Sequence, residues 1–338
     1  MKFGLTFAPY STPTRRAEEV FRANVEQIRL AESCGFDSAF VSEHHFLDNE
    51  MFPSPLVALG FVAALTSKIR LGTGVLLMPL HNPVRMAEDA AVLDCISGGR
   101  LIYGIGHGYR PEEFAGYGRR LEERRSLLRE GAVLTRRLWT ETNVSFQGRH
   151  FSVKDLNLTP KPRQRPAPPI WVAAKKRVAV EDAAEVGDAW YADPITPMPI
   201  IARNKQHWLA ALAKHGKDPA RQDFAYYREF FVGDDDASAW RDGSPGLLGE
   251  YGFYLSVNHL VENDGTPIPA DRTDRLEELV RDRCTVGSPA TCLEHVQRIR
   301  AALDPSYMVL KMGHSAIEPE VVERSIRLAA EHVLPAAA

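Results

Sequence analysis

A chain of 338 residues, 44% hydrophobic and 25% charged, can bury a large core, which excludes the disordered and fibrous classes. Its 41 basic and 44 acidic side chains leave a formal net charge of −3, so no overall attraction to nucleic acid or to an anionic membrane is expected. Cys34, Cys95, Cys284 and Cys292 form no CxxC pair and no apolar run reaches membrane-spanning length, so the chain reads as a soluble, cytoplasmic protein without disulfides or a zinc knuckle.

In chain order, Lys2 to Ala8 reads as a strand and Arg15 to Ser33 as a helix, with Val20, Phe21, Val25, Ile28 and Ala31 at three- and four-residue steps. The unit then repeats: strand Ser38 to Val41, helix Ser54 to Leu65, strand Ile69 to Leu77, helix Asn82 to Ile96, strand Arg100 to Ile105, helix Gly118 to Leu138. An insertion covering about 141–168 interrupts it, first as a two-stranded excursion at Asn143 to Val153. The five prolines of the stretch from Pro160 to Pro169 follow, and they continue neither a helix nor a central strand.

The alternation resumes with strand Ile170 to Ala174, helix Val178 to Val186, a short strand at Trp190, helix Met198 to His215 and strand Phe224 to Val232. Strand Tyr307 to Met312 and helix Glu318 to His332 complete eight strand–helix units. Eight such units in one register predict an α/β fold closed as a (β/α)8 TIM barrel with insertions, one domain over 1–338. Between 234 and 289, Gly243, Gly246, Gly265, Pro267 and Pro269 break the helical pattern, and a mobile lid is expected there.

The loops after the strands of such a barrel converge on one face, so strand ends become the search list. Glu43, His44 and His45 follow the second strand. A polar turn is the plain reading, but two imidazoles and a carboxylate are costly to desolvate, and an imidazole exchanges protons near neutral pH. Neighbours on an extended chain point to opposite sides, so His44 and His45 do not reach one ion without a bend, and no metal is assigned. Gly104, Gly106 and Gly108, beside Gly72, Thr73 and Gly74, leave small residues on two neighbouring strand ends, a wall for a flat ring system or simple turn chemistry. Lys175, Lys176 and Arg177 precede a helix where this fold binds phosphate; a solvated charge run is the alternative.

The strings Met1-Lys2-Phe3-Gly4, Gly35-Phe36-Asp37, Glu43-His44-His45-Phe46, Gly72-Thr73, Pro83-Val84-Arg85, Ala87-Glu88-Asp89 and Ser97-Gly98-Gly99-Arg100 carry a resemblance, continued by Ala183-Ala184-Glu185. On them the chain resembles the bacterial luciferase-like, flavin-dependent monooxygenases, most closely the luciferase alpha chain. The likeness is good from 1 to about 190 and thin beyond. It implies a barrel binding FMN, in reduced form delivered by a separate flavin reductase, and a homodimer paired through the early helices. Oxygen then gives a peroxyflavin that oxidises a small or medium organic substrate. It further implies His44 as catalytic acid/base with His45 in support, and Phe7, Ala8, Glu43, Thr73, Gly74, Val75, Gly106, His107, Lys175, Lys176 and Arg177 around the cofactor, with a non-prolyl cis peptide at Gly74-Val75.

The chain departs from that pattern where Gly106 replaces a reactive cysteine, His107 an arginine, Lys175-Lys176 a Glu-Ser pair and Ala179 a threonine. Other readings of the same residues stay open. One is a deazaflavin-dependent oxidoreductase that moves hydride. Another is a metal-dependent hydrolase using Glu43, His44 and His107, and a third is a non-catalytic flavin store. Phe46, Met51, Phe52, Tyr109 and Tyr254 are expected on the pocket walls.

Overall fold

The computed structural model describes residues 1–314 and 316–337. Strand β1 (Lys2–Phe7) leads into helix α1 (Ala17–Ser33), β2 (Ser38–Val41) into α2 (Pro55–Leu65), and β3 (Arg70–Thr73) into α3 (Pro83–Ile96). Helix α3 starts where its sequence says it must: Asn82 accepts from the N–H of Val84 at 2.9 Å, and Pro83 supplies a first turn that needs no donor. Strand β4 (Leu101–Ile105) is followed by a short helix α4 (Pro111–Gly116) and then α5 (Arg124–Thr140). The expected helix at Gly118 to Leu138 thus begins later, since Gly118 sits at φ +62°, outside the helical region.

Strands β5 (Val144–Gln147) and β6 (Ser152–Leu156) form the antiparallel excursion. After it come β7 (Ile170–Ala174), α6 (Arg177–Val186), β8 (Ala189–Ala192), α7 (Met198–Lys214) and β9 (Asp223–Val232). Then come α8 (Asp236–Ser256), α9 (Leu276–Arg283), β10 (Thr285–Gly287), α10 (Pro289–Leu303), β11 (Tyr307–Lys311), α11 (Pro319–Leu328) and a short α12 (Leu334–Ala337).

Eight parallel strands close a ring in the order β1, β2, β3, β4, β7, β8, β9, β11 and back to β1, so the fold is a (β/α)8 barrel. Strand β10 adds to the far end of β9 outside this ring. Strand alternation divides the core in two. Phe40, Ile102, Trp171, Tyr191, Tyr307 and Val309 fill the barrel, while Leu5, Val41, Leu71, Val172 and Leu310 pack outward beneath the helices. Arg100 ties the opposite end from the loops discussed below, donating to the carbonyls of Ala63, Thr66 and Ile69 at 2.9–3.0 Å.

Two further expectations need correction. The third strand stops at Thr73 rather than Leu77, and the Gly74–Val75 peptide that follows is cis. The segment 234–289 is helical over α8 and α9; Gly243 and Gly246 do not break it, whereas Gly265, at φ +97°, lies with Pro267 and Pro269 in the non-helical stretch between those helices. Helix α8 is continuous through Gly243, Pro245 and Gly246. A Cβ on Gly243 would meet the Phe231 ring at 2.8 Å, and one on Gly246 would meet Cβ of His314 at 2.7 Å. These glycines let α8 lie flat across the C-terminal ends of β9 and β11.

Candidate active site

The chain turns at the end of β2 and sends successive side chains to different partners. Glu43 is buried, and its Oε1 lies 2.6 Å from Nε2 of His45 and 2.6 Å from Nε2 of His81; Oε2 accepts the Leu77 N–H at 3.0 Å. Burial raises the carboxyl's pKa, but the hydrogen bonds and charge of the two histidines outweigh it and hold the group below the usual range. An ionised carboxylate only accepts, so both rings donate through Nε2. Nδ1 of His45 is left to take the Tyr117 hydroxyl at 3.1 Å.

His44 faces the other way. Its Nδ1 is 2.8 Å from Oε1 of Glu113, an oxygen that also accepts the His45 backbone N–H at 3.0 Å. Burial pushes the Glu113 carboxyl up, yet the His44 hydrogen bond and charge, the His45 N–H and Arg110 together bring it below the ordinary value. Arg110 also braces the loop by donating to the His45 carbonyl at 2.8 Å. A charged Glu113 fixes the proton on Nδ1, and Nε2 of His44 has no partner among the described residues. The ring is 25% exposed, so this nitrogen is a proton acceptor or donor open to a ligand.

The wall beside it is built by β3 and β4. Thr73 Oγ1 donates to the Gly104 carbonyl at 2.6 Å, a Cβ on Gly104 would sit 1.9 Å from the Thr73 oxygen, and one on Gly106 would meet the Val75 methyl at 2.4 Å. Only glycine fits at either position. Next on the chain, His107 has no partner for Nε2 among the described residues, and burial pulls its imidazole below the usual pKa.

Lys175 ends β7. Its Nζ donates to the His259 carbonyl at 2.8 Å, and burial lowers its pKa. Lys176, the N-cap of α6, is exposed, offers no side-chain cap and has no ion pair among the described residues, so the helix start faces outward with a cation beside it. Arg177 is turned along the helix to Glu181, 2.9 Å away. Phe7 belongs to the core packed beneath the helices rather than to the barrel interior.

One chain of contacts joins the two halves. The Tyr109 ring lies 5.6 Å from that of His44 and 4.4 Å from that of His259, whose carbonyl holds Lys175. His44 and Lys175 therefore open onto the same end of the barrel.

Glu43, His45 and His81 have ligand atoms within 4.8 Å of one another. The metal set expected for a hydrolase, Glu43, His44 and His107, is not assembled, because His44 belongs to Glu113. Glu113, His81, Tyr117, Arg110 and His259 were not singled out from the sequence. His81 follows a strand end and could have joined the search list; Glu113 is indistinguishable in sequence from its exposed neighbour Glu112.

A sequence profile described as luciferase-like monooxygenase matches residues 1–304. This chain belongs to that family. Within the family it is 31% identical over 187 residues to the alkanal monooxygenase alpha chain of the Kryptophanaron alfredi symbiont, a match covering 55% of this chain and 52% of that protein. The chain spans about half the length of the first curated relatives it matches. A solved monooxygenase from Streptomyces bottropensis superposes with a TM-score of 0.88 at 27% identity, covering 100% of both chains. The oxygenating constituent of 3,6-diketocamphane monooxygenase from Pseudomonas putida, solved in complex with FMN, shares the fold at TM-score 0.83 and 23% identity over 99% of this chain and 98% of that one.

Proposed function

We propose that this chain is the oxygenating component of a two-component monooxygenase. It takes reduced FMN from a separate reductase and, with molecular oxygen, inserts one oxygen atom into a small or medium organic substrate. The observation that carries this reading is the line from His44 through Tyr109 and His259 to Lys175, which gathers a proton-handling imidazole and an anion-ready helix start at one mouth.

The residues present fit the cofactor. Glycines 104 and 106 let the chain from Thr73 to Val75 lie directly against β4 and form a surface for a flat ring, the uncapped start of α6 with Lys176 suits a phosphate, and Nε2 of His107 has no partner among the described residues. Bound reduced FMN would supply the activation of oxygen. The protein's part is then to hold a proton at Nε2 of His44, to keep that ring in one tautomer through Glu113, and to exclude water beneath α8. Glu43 holds the loops after β2 and β3 together rather than touching the reacting atoms.

We place the contact of a homodimer on α2 and α3, a reading supported by Val57, 76% exposed, and Ile96, 63% exposed, beside Phe61, Leu65 and Val92. Among the described residues no helix is long and apolar enough to cross a membrane.

Anaerobic titration with reduced FMN, followed by labelled oxygen and a substrate panel, tests the proposal. Saturable binding and label in the product are expected. No affinity for flavin in either redox form ends the proposal, binding without oxygen consumption points to a flavin store, and hydride transfer with a deazaflavin coenzyme alone would replace FMN.

A further inference from the structure

Around the eight-strand ring, β9 lies four steps from β3 and β11 four steps from β4, so these two strands face the glycine wall across the mouth. Glu229 on β9 and Lys311 on β11 are register partners, and both continue the inward-facing series of Tyr227 and Val309. Helix α8 roofs them. Its Glu250 pairs with the Lys311 ammonium, stands 3.2 Å from Nδ1 of His314 and accepts the Tyr254 hydroxyl at 3.0 Å.

Glu250 is thus paired through Oε1, its Oε2 meeting only the His314 ring, whereas Glu229 is fully buried and neither of its carboxylate oxygens has a hydrogen-bond partner among the described residues. Packing alone gives no reason for a bare carboxylate there, since a buried acceptor without a donor is costly. Burial, and then the Glu250 charge, push its carboxyl up to about 7 against the pull of Lys311. A group of this kind at the ligand-binding end of a barrel lacks a donor that a ligand can bring. The neighbouring ammonium can only donate, so the ligand oxygen that gives its proton to Glu229 must also accept, as a hydroxyl does, and an acidic hydroxyl donates most strongly. Tyr191 and Tyr227, with ring centroids 5.9 Å apart and planes 30° from parallel, favour a flat body.

We propose that Glu229 is a specificity-determining residue of the substrate subsite, accepting a hydrogen bond from the hydroxyl of a phenol or enol held beneath α8, with Lys311 beside the same oxygen. The proposal rests on the flavin reading above and deepens it. The ring stands between the glycine wall and β9, and its entry displaces the α8 roof at Tyr254 and Glu250. A substrate lacking the hydroxyl leaves Glu229 bare and is rejected for that reason.

The test uses the full chain loaded with FMN and two probes of nearly equal shape, 2-naphthol and 2-methylnaphthalene, with binding read by equilibrium dialysis. Wild type is expected to hold the naphthol at least about tenfold tighter, and Glu229→Leu to bind the two within about twofold. Glu229→Gln, which keeps volume and one acceptor, is expected to fall between; it decides the matter if the leucine variant does not fold by circular dichroism. An equal preference in wild type and variant, no preference in wild type, or binding of neither probe overturns the proposal. Flavin fluorescence on the same samples separates the two claims. Loss of FMN binding by wild type defeats the flavin reading, whereas retained FMN without hydroxyl preference defeats the subsite alone.

Discussion

Nδ1 of His44 lies 2.8 Å from Oε1 of Glu113, the same oxygen that takes the backbone N–H of His45 at 3.0 Å. One carboxylate therefore sets both the tautomer of the imidazole and the path of the loop that carries it. His44→Ala is expected to lower single-turnover oxygenation by about 10²–10⁴-fold. Glu113→Gln, which leaves the ring but frees its tautomer, should lower it by about 10–100-fold, by analogy with residues that orient a metal-bound imidazole. Flavin titration on the same variants should give Kd values close to wild type; a parallel loss of affinity would assign His44 to cofactor holding instead.

Acid should weaken the fold through the same groups. The Glu43 and Glu113 carboxyls both lie below their ordinary pKa in the folded protein, so the unfolded chain binds more protons as pH falls. Their stabilisation is complete above the unfolded carboxylate value of about 4.3 and is lost as pH drops through the folded values. Thermal unfolding between pH 6 and pH 3, about three units spanning that value, should show Tm falling at the acid end, with a shallower fall in Glu113→Gln. Identical slopes in the two proteins would remove Glu113 from this account.

Two glycines of α8 make opposite predictions. Gly249 has nothing within 4 Å of a built Cβ, so Gly249→Ala should stabilise the protein by about 0.5–1 kcal/mol through helix propensity. Gly246 would set a Cβ 2.7 Å from Cβ of His314, and Gly246→Ala should cost about 1–3 kcal/mol. Urea denaturation of both variants checks the pair, and a stabilised Gly246→Ala would mean that α8 does not rest on His314.

At the start of α6, Lys176 and Arg177 should differ in the same way. Lys176→Glu is expected to weaken FMN binding about tenfold, roughly 1.4 kcal/mol, while leaving riboflavin, which has no phosphate, unaffected. Arg177 already serves Glu181, so Arg177→Ala should change FMN affinity less than twofold, or about 0.4 kcal/mol. Fluorescence titrations at two salt concentrations would show whether charge is the cause.

Most of the barrel was legible from alternation alone, because a two-residue period and a helical period cannot be confused over eight repeats. The divergence of His44 and His45 was legible for the same reason. Glu113 was not. Helix phase places it inward and Glu112 outward, and that phase depends on where α4 meets the loop after β2, a contact between residues 68 apart in sequence. Helix α8 was hidden because Gly243, Pro245 and Gly246 carry poor helix propensity, and the close approach to Phe231 and His314 that makes two of them necessary is a tertiary fact. Glu229 reads in sequence as one charge in a strand, and only the register with Lys311 reveals that it faces inward.

The absence of any room for a methyl group on residue 104, whose Cβ would lie 1.9 Å from the Thr73 oxygen, has a consequence for engineering. That flank of the mouth cannot be decorated without rebuilding two strands, so its shape is in effect a constant. Libraries intended to change what the protein accepts have one productive flank, the side chains at the ends of β9 and β11 and on the underside of α8.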